Sequence, residues 1–137
     1  MDYRVILYHK QATSARTRFL KFANNSVCAF EPIAKLVQML DGLPGDTVIL
    51  PSSVLKEVED RLGFMPGSLE AEGQYRKAVE VPGETIQIIL VRITTTDPPF
   101  DLAKKAGGAF IDLTQARGLP AIELELLRTA YEFILEG

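Results

Sequence analysis

The sequence predicts an α/β (or α+β) single-domain sandwich, a mixed sheet of four to five strands covered by about five helices. Three observations predict it. Residues 3–9 (YRVILYH) form a nearly continuous β-branched and aromatic run, as a strand buried on both faces requires. Apolar residues recur at i, i+3, i+4 and i+7 in several later segments, the spacing of one helical stripe. Pro82-Gly83 separates two apolar arms and fits the central positions of a type II turn.

The elements follow in chain order. After the strand at 3–9, Thr13 or Ser14 supplies a hydroxyl cap for a helix, because such a hydroxyl accepts from orphan N–H groups. Ala15, Phe19, Phe22 and Ala23 fall on one face of that helix, and Asn24-Asn25-Ser26 ends it. Pro32 suits the first turn of a second helix, with Ile33, Leu36, Val37 and Leu40 as its stripe. Residues 41–46 read as a turn, and 46–50 as a short buried strand. Pro51-Ser52-Ser53 opens a third helix with Val54, Leu55, Val58 and Leu62 buried, and Gly63 stops it.

Residues 64–75 read as a long exposed loop, a candidate lid or partner contact. Strands near 76–81 and 85–96 form the arms of the hairpin. Residues 100–117 read as helical but carry Gly107-Gly108, so a strand at 109–113 competes. A strong final helix follows Pro120, its stripe including Glu123, Leu127, Ala130, Tyr131, Ile134 and Leu135.

The chain has 137 residues, the ordinary size of one domain, and its 47% hydrophobic content excludes wholesale disorder. One cysteine, Cys28, permits no internal disulfide, and with one histidine, His9, it makes a four-ligand zinc site implausible. No metal and no cofactor is expected. No apolar stretch approaches the roughly 20 residues of a membrane span, and no signal-like region opens the chain, so no membrane contact and a cytoplasmic location are the expectations.

A net charge of −3 argues against a nucleic-acid binder. The charge is uneven, however: six Lys/Arg against two acids leave residues 1–40 at +4. Ligands of open α/β sheets bind beyond the carboxyl ends of strands, and helix N-termini there favour anions. The expected anion site therefore comprises His9, Lys10, Thr13, Ser14, Arg16, Ser52 and Ser53, with Thr96 and Asp97 from the end of the long hairpin arm. No phosphate-loop or dinucleotide glycine pattern supports it. His9 is the one weak catalytic candidate, since a lone imidazole near Asp97 or a serine has the chemistry of a general base. Without a nucleophile, metal or acid–base constellation, the expected function is a non-catalytic binding or regulatory module. A protein partner or homodimer accompanies that reading. The alternative is a small enzyme or sensor for an anionic metabolite.

Overall fold

The computed structural model describes residues 2–34, 37–43 and 48–136. They form one mixed sheet with helices on both faces. The strands are β1 (Asp2–Lys10), β2 (Thr17–Phe22), β3 (Cys28–Ala29), β4 (Gln38–Asp41), β5 (Leu69–Ala71), β6 (Lys77–Val81), β7 (Glu84–Ile93) and β8 (Gly108–Ile111). The helices are α1 (Leu55–Leu62), α2 (Phe100–Lys105) and α3 (Ala121–Glu136). Short 3-10 turns at Pro51–Val54 and Leu113–Gln115 precede α1 and follow β8.

The main path runs β4-β6-β7-β1-β2-β8, with β3 added to β1 and β5 added to β7. Only β1 and β7 are parallel among the described strands, in a register from Asp2↔Ile86 to Tyr8↔Arg92. These two central strands are buried on both faces, which is why their sequences are apolar runs and not alternations. Even-numbered residues of both, among them Ile6, Tyr8, Ile86, Ile88 and Leu90, pack with Leu126, Leu127, Ala130 and Ile134 of α3. Odd-numbered Val5, Leu7, Ile89, Val91 and Ile93 pack with Val54, Val58, Phe64 and Ala103 on the α1/α2 side. Each such aliphatic side chain contributes about 1.5–3 kcal/mol by leaving water.

Among the described residues, eight strands and three helices replace the expected four to five strands under about five helices. The expected helix after Thr13 is instead a hairpin arm: β2 pairs antiparallel with β1 at Tyr8↔Phe19 and Lys10↔Thr17. Phe19 and Leu20 are adjacent and both fully buried, one in each apolar layer, which a strand achieves and a one-sided helix does not. The expected second helix at 33–40 gives way to β4, which pairs with β6 from Gln38↔Glu80 to Asp41↔Lys77; residues 35–36 lie outside the described set. Of the expected strand at 46–50, residues 46–47 lie outside the described set, and 48–50 are irregular. There the buried Gln87 amide bonds both ways to the Ile49 backbone (2.8 Å each) and takes the place of a neighbouring strand.

The segment 64–75 is less exposed than expected, since it contains β5 and buries Phe64, Leu69 and Tyr75. The long hairpin arm stops at Ile93, leaving Thr94–Thr96 outside the sheet. The glycine pair ends α2 and starts β8, so the strand reading prevails over a continuous helix at 100–117. A Cβ on Gly108 would stand 2.5 Å from the Lys21 carbonyl oxygen of β2, which is why glycine occupies that position.

Two buried charged groups are locked by local bonds. Arg4 donates to Asp2 (2.8 Å) and to the Tyr3 carbonyl (3.0 Å), and pairs with Glu31 at 3.3 Å. Glu123, fully buried on α3, accepts from the Ser26 hydroxyl (2.9 Å) and the Val27 N–H (2.7 Å), tying α3 to the turn before β3. Burial pushes the Glu123 carboxyl above the usual carboxylate range. It pushes the neighbouring Cys28 thiol up as well, which removes that thiol as a nucleophile near neutrality.

Candidate functional site

The carboxyl ends of the parallel pair β1/β7 are where an open sheet of this kind places ligands. Period-2 alternation splits the residues there into two corners. Tyr8 and Lys10 point to the α3 side, whereas His9 points to the α1/α2 side.

On the α3 side a cavity of about 370 Å³ opens. Its floor is Tyr8, Lys10 and Arg92, the last being the register partner of Tyr8 on β7. Gln11, Ala12 and Ala15 of the β1–β2 hairpin bound one side, and Glu72, just beyond β5, bounds another. Phe133 and Ile134 from the last turns of α3 form the apolar wall. Glu72 is fixed by its own N–H, which donates to the Leu90 carbonyl at 2.9 Å.

The electrostatics of this corner are unresolved internally. Neither Lys10 nor Arg92 forms an ion pair among the described residues, although Glu70 is the cross-strand partner of Arg92 and Glu72 lines the same cavity. Burial, then the nearby Glu70 charge, raises the Glu72 carboxyl above its ordinary range, while Arg92 and a hydrogen bond from the Tyr8 hydroxyl pull it back. Burial, then Glu72, pushes the Tyr8 hydroxyl well up, so it stays a neutral phenol.

The α1/α2 side of the same strand end is closed. His9 is fully buried and its Nε2 lies 2.7 Å from the Thr95 carbonyl oxygen. A carbonyl only accepts, so Nε2 donates to it, and Nδ1 has no hydrogen-bond partner among the described residues. Gln11 donates to Asp97 (3.1 Å) and accepts from Arg18 (3.2 Å). Arg18 in turn lies over the Phe100 ring at 5.6 Å, and Phe100 meets Phe110 edge-on. The Thr94–Pro99 loop is thus strapped over His9, which lines none of the cavities described here.

The expected site residues are therefore divided. Lys10 reaches the open cavity; His9 and Asp97 belong to the closed corner, and Thr96 is exposed on its strap. Thr13 and Ser14 sit at an exposed hairpin tip and head no helix, so no free helix N–H groups gather there. The Ser14 hydroxyl accepts from the Arg16 N–H at 3.3 Å. Arg16 is bound by both Asp112 oxygens (3.0 and 2.8 Å), an interaction that holds Asp112 below the usual carboxylate range. Ser52 and Ser53 are exposed in the 3-10 turn, and the Ser53 hydroxyl is spent on the Leu50 carbonyl at 2.6 Å.

Tyr8, Glu72, Arg92 and Phe133 escaped the sequence reading. One signal was present: Arg92 interrupts the apolar run of the long hairpin arm, next to its buried neighbours Val91 and Ile93.

Two other depressions differ in kind. One of about 320 Å³ is charged, but its charges are spent on each other, Arg4 on Asp2 and Glu31, and Arg61 on Glu57. A larger cleft of about 600 Å³ between the end of α1 and the start of α2 has Asp101 and Lys105 as its only charged lining. No helix among the described residues is long and apolar enough to cross a membrane. No described group of three or more His, Cys, Asp or Glu is arranged to hold a metal ion. No protein-family model and no curated protein matches the chain.

Proposed function

We propose that this chain is a small-molecule binding module that takes an anionic ligand at the α3-side corner, beyond the carboxyl ends of β1 and β7. One observation carries the reading: Lys10 and Arg92, two cations without ion-pair partners among the described residues, line a single cavity at the end of the parallel pair. Its volume of about 370 Å³ falls within the range of small-ligand sites, roughly 300–1,000 Å³. Arg92 offers a planar fork to a carboxylate or phosphate, and Lys10 a point charge.

The test is an NMR titration of the isotope-labelled chain with acetate and with 3-phenylpropanoate. Saturable shifts should centre on Lys10–Ala15 and Arg92 and weaken as salt rises. Shifts spread evenly over the basic surface, or none at this corner, would overturn the reading.

A further inference from the structure

The anion reading leaves Glu72 unexplained, because a carboxylate beside a pure anion site weakens it. The placement of Glu72 is specific. Its backbone is pinned to Leu90 of β7, and it lines the same cavity as Arg92. Arg92 and Glu72 sense one another electrostatically, yet they form no ion pair. Opposite charges that face one cavity without closing on each other leave room for a ligand bearing both signs. The third component of the wall is apolar: the Phe133 ring, the Ile134 side chain and the body of Tyr8. Phe133 itself packs edge-on against Tyr75, with ring centroids 5.5 Å apart.

We infer that the ligand of this corner is a free α-amino acid with an apolar side chain. Its carboxylate would lie on Arg92 and Lys10, its ammonium on Glu72, and its side chain against Phe133 and Ile134. This rests on the anion reading above and narrows it. A phosphate dianion matches the corner poorly, because Glu72 repels it and nothing in it uses the apolar wall. A plain carboxylate satisfies the cations but leaves the Glu72 charge unanswered. The zwitterion satisfies all three, and each charged contact is a charge-assisted hydrogen bond.

Calorimetric titration of the unmodified chain with four probes decides the matter. These are L-phenylalanine, 3-phenylpropanoate (the same body without the ammonium), 2-phenylethylamine (without the carboxylate) and inorganic phosphate. L-Phenylalanine should bind at least about tenfold more tightly than any of the other three, a difference of about 1.4 kcal/mol. Equal binding of L-phenylalanine and 3-phenylpropanoate would overturn the amino-acid inference and leave the anion reading standing. Failure of all three carboxylate or phosphate probes would overturn both. In Glu72→Gln the preference for L-phenylalanine over 3-phenylpropanoate should vanish while 3-phenylpropanoate binding persists. Retention of the preference in that variant would assign the discrimination elsewhere and defeat the role given to Glu72.

Discussion

The two corners at the end of β1 differ in how their polar groups are satisfied, though consecutive residues build them. On the α1/α2 side, the His9 Nε2, the Gln11 amide, Arg18 and Asp97 have partners within the chain, His9 Nδ1 lacks one, and the strap over them is closed. On the α3 side, Lys10, Arg92 and Glu72 share a cavity without forming an ion pair among the described residues. Internal satisfaction rigidifies; unmatched charge around a cavity is available to a ligand. His9 and Asp97, the more suggestive residues in the sequence, both belong to the closed corner without being shown in contact.

The largest expected effect comes from breaking the closed corner. His9→Ala removes a fully buried ring and its bond to Thr95, and should cost about 2–4 kcal/mol in urea unfolding. Ligand-induced shifts at Lys10 and Arg92 should survive at temperatures where the variant stays folded. A loss below about 0.5 kcal/mol would show that the strap does not depend on His9. Next in size is Arg92→Gln, an exposed position, which should weaken 3-phenylpropanoate and L-phenylalanine alike by about tenfold without lowering the melting temperature. If it unfolds the protein, Arg92 is structural and the contrast between the corners collapses.

Gln11 joins the two corners, because it lines the open cavity while its amide bridges Arg18 and Asp97. Gln11→Ala should cost about 0.5–1.5 kcal/mol and speed amide hydrogen exchange in the Thr94–Asp97 strap. Exchange unchanged there would mean that the His9–Thr95 bond alone holds the loop.

What the sequence revealed and concealed follows from the range of the interactions involved. β1, the β6–β7 hairpin and α3 are specified locally, by apolar runs, a Pro-Gly turn and a helical stripe closed off by Pro120. β2 is not. Phe19 and Phe22 are three apart, which imitates a helical face, and only pairing with β1 on one side and β8 on the other makes the segment a strand. The same misreading supplied a helix N-terminus at Thr13, and with it the Thr13, Ser14 and Arg16 part of the expected anion site. Lys10 was legible because it follows an obvious central strand. Its companions were not, because Glu72, Arg92 and Phe133 come from distant segments that meet through β5–β7 pairing, the parallel β1–β7 register and the docking of α3.

The smallest expected effects concern pH. Asp112 is held below its ordinary value of 3.8 by Arg16, so its contribution to stability is present above that pH and is lost as pH falls. Glu72 is raised above its ordinary value of 4.5, so the folded chain holds that proton more tightly than the unfolded chain does. Its contribution is complete below about pH 4.5 and is lost as pH rises through the raised value. The two variants therefore diverge in opposite senses. The stability of the native chain relative to Asp112→Asn should grow with pH from the acid limb, whereas its stability relative to Glu72→Gln should decline with pH above about 4.5. Both slopes should be shallow and should flatten in salt, because these groups are partly exposed. Saturating L-phenylalanine should reverse the second slope, since an ammonium on Glu72 favours the charged carboxylate. A slope that stays negative with the amino acid bound would place the ammonium away from Glu72.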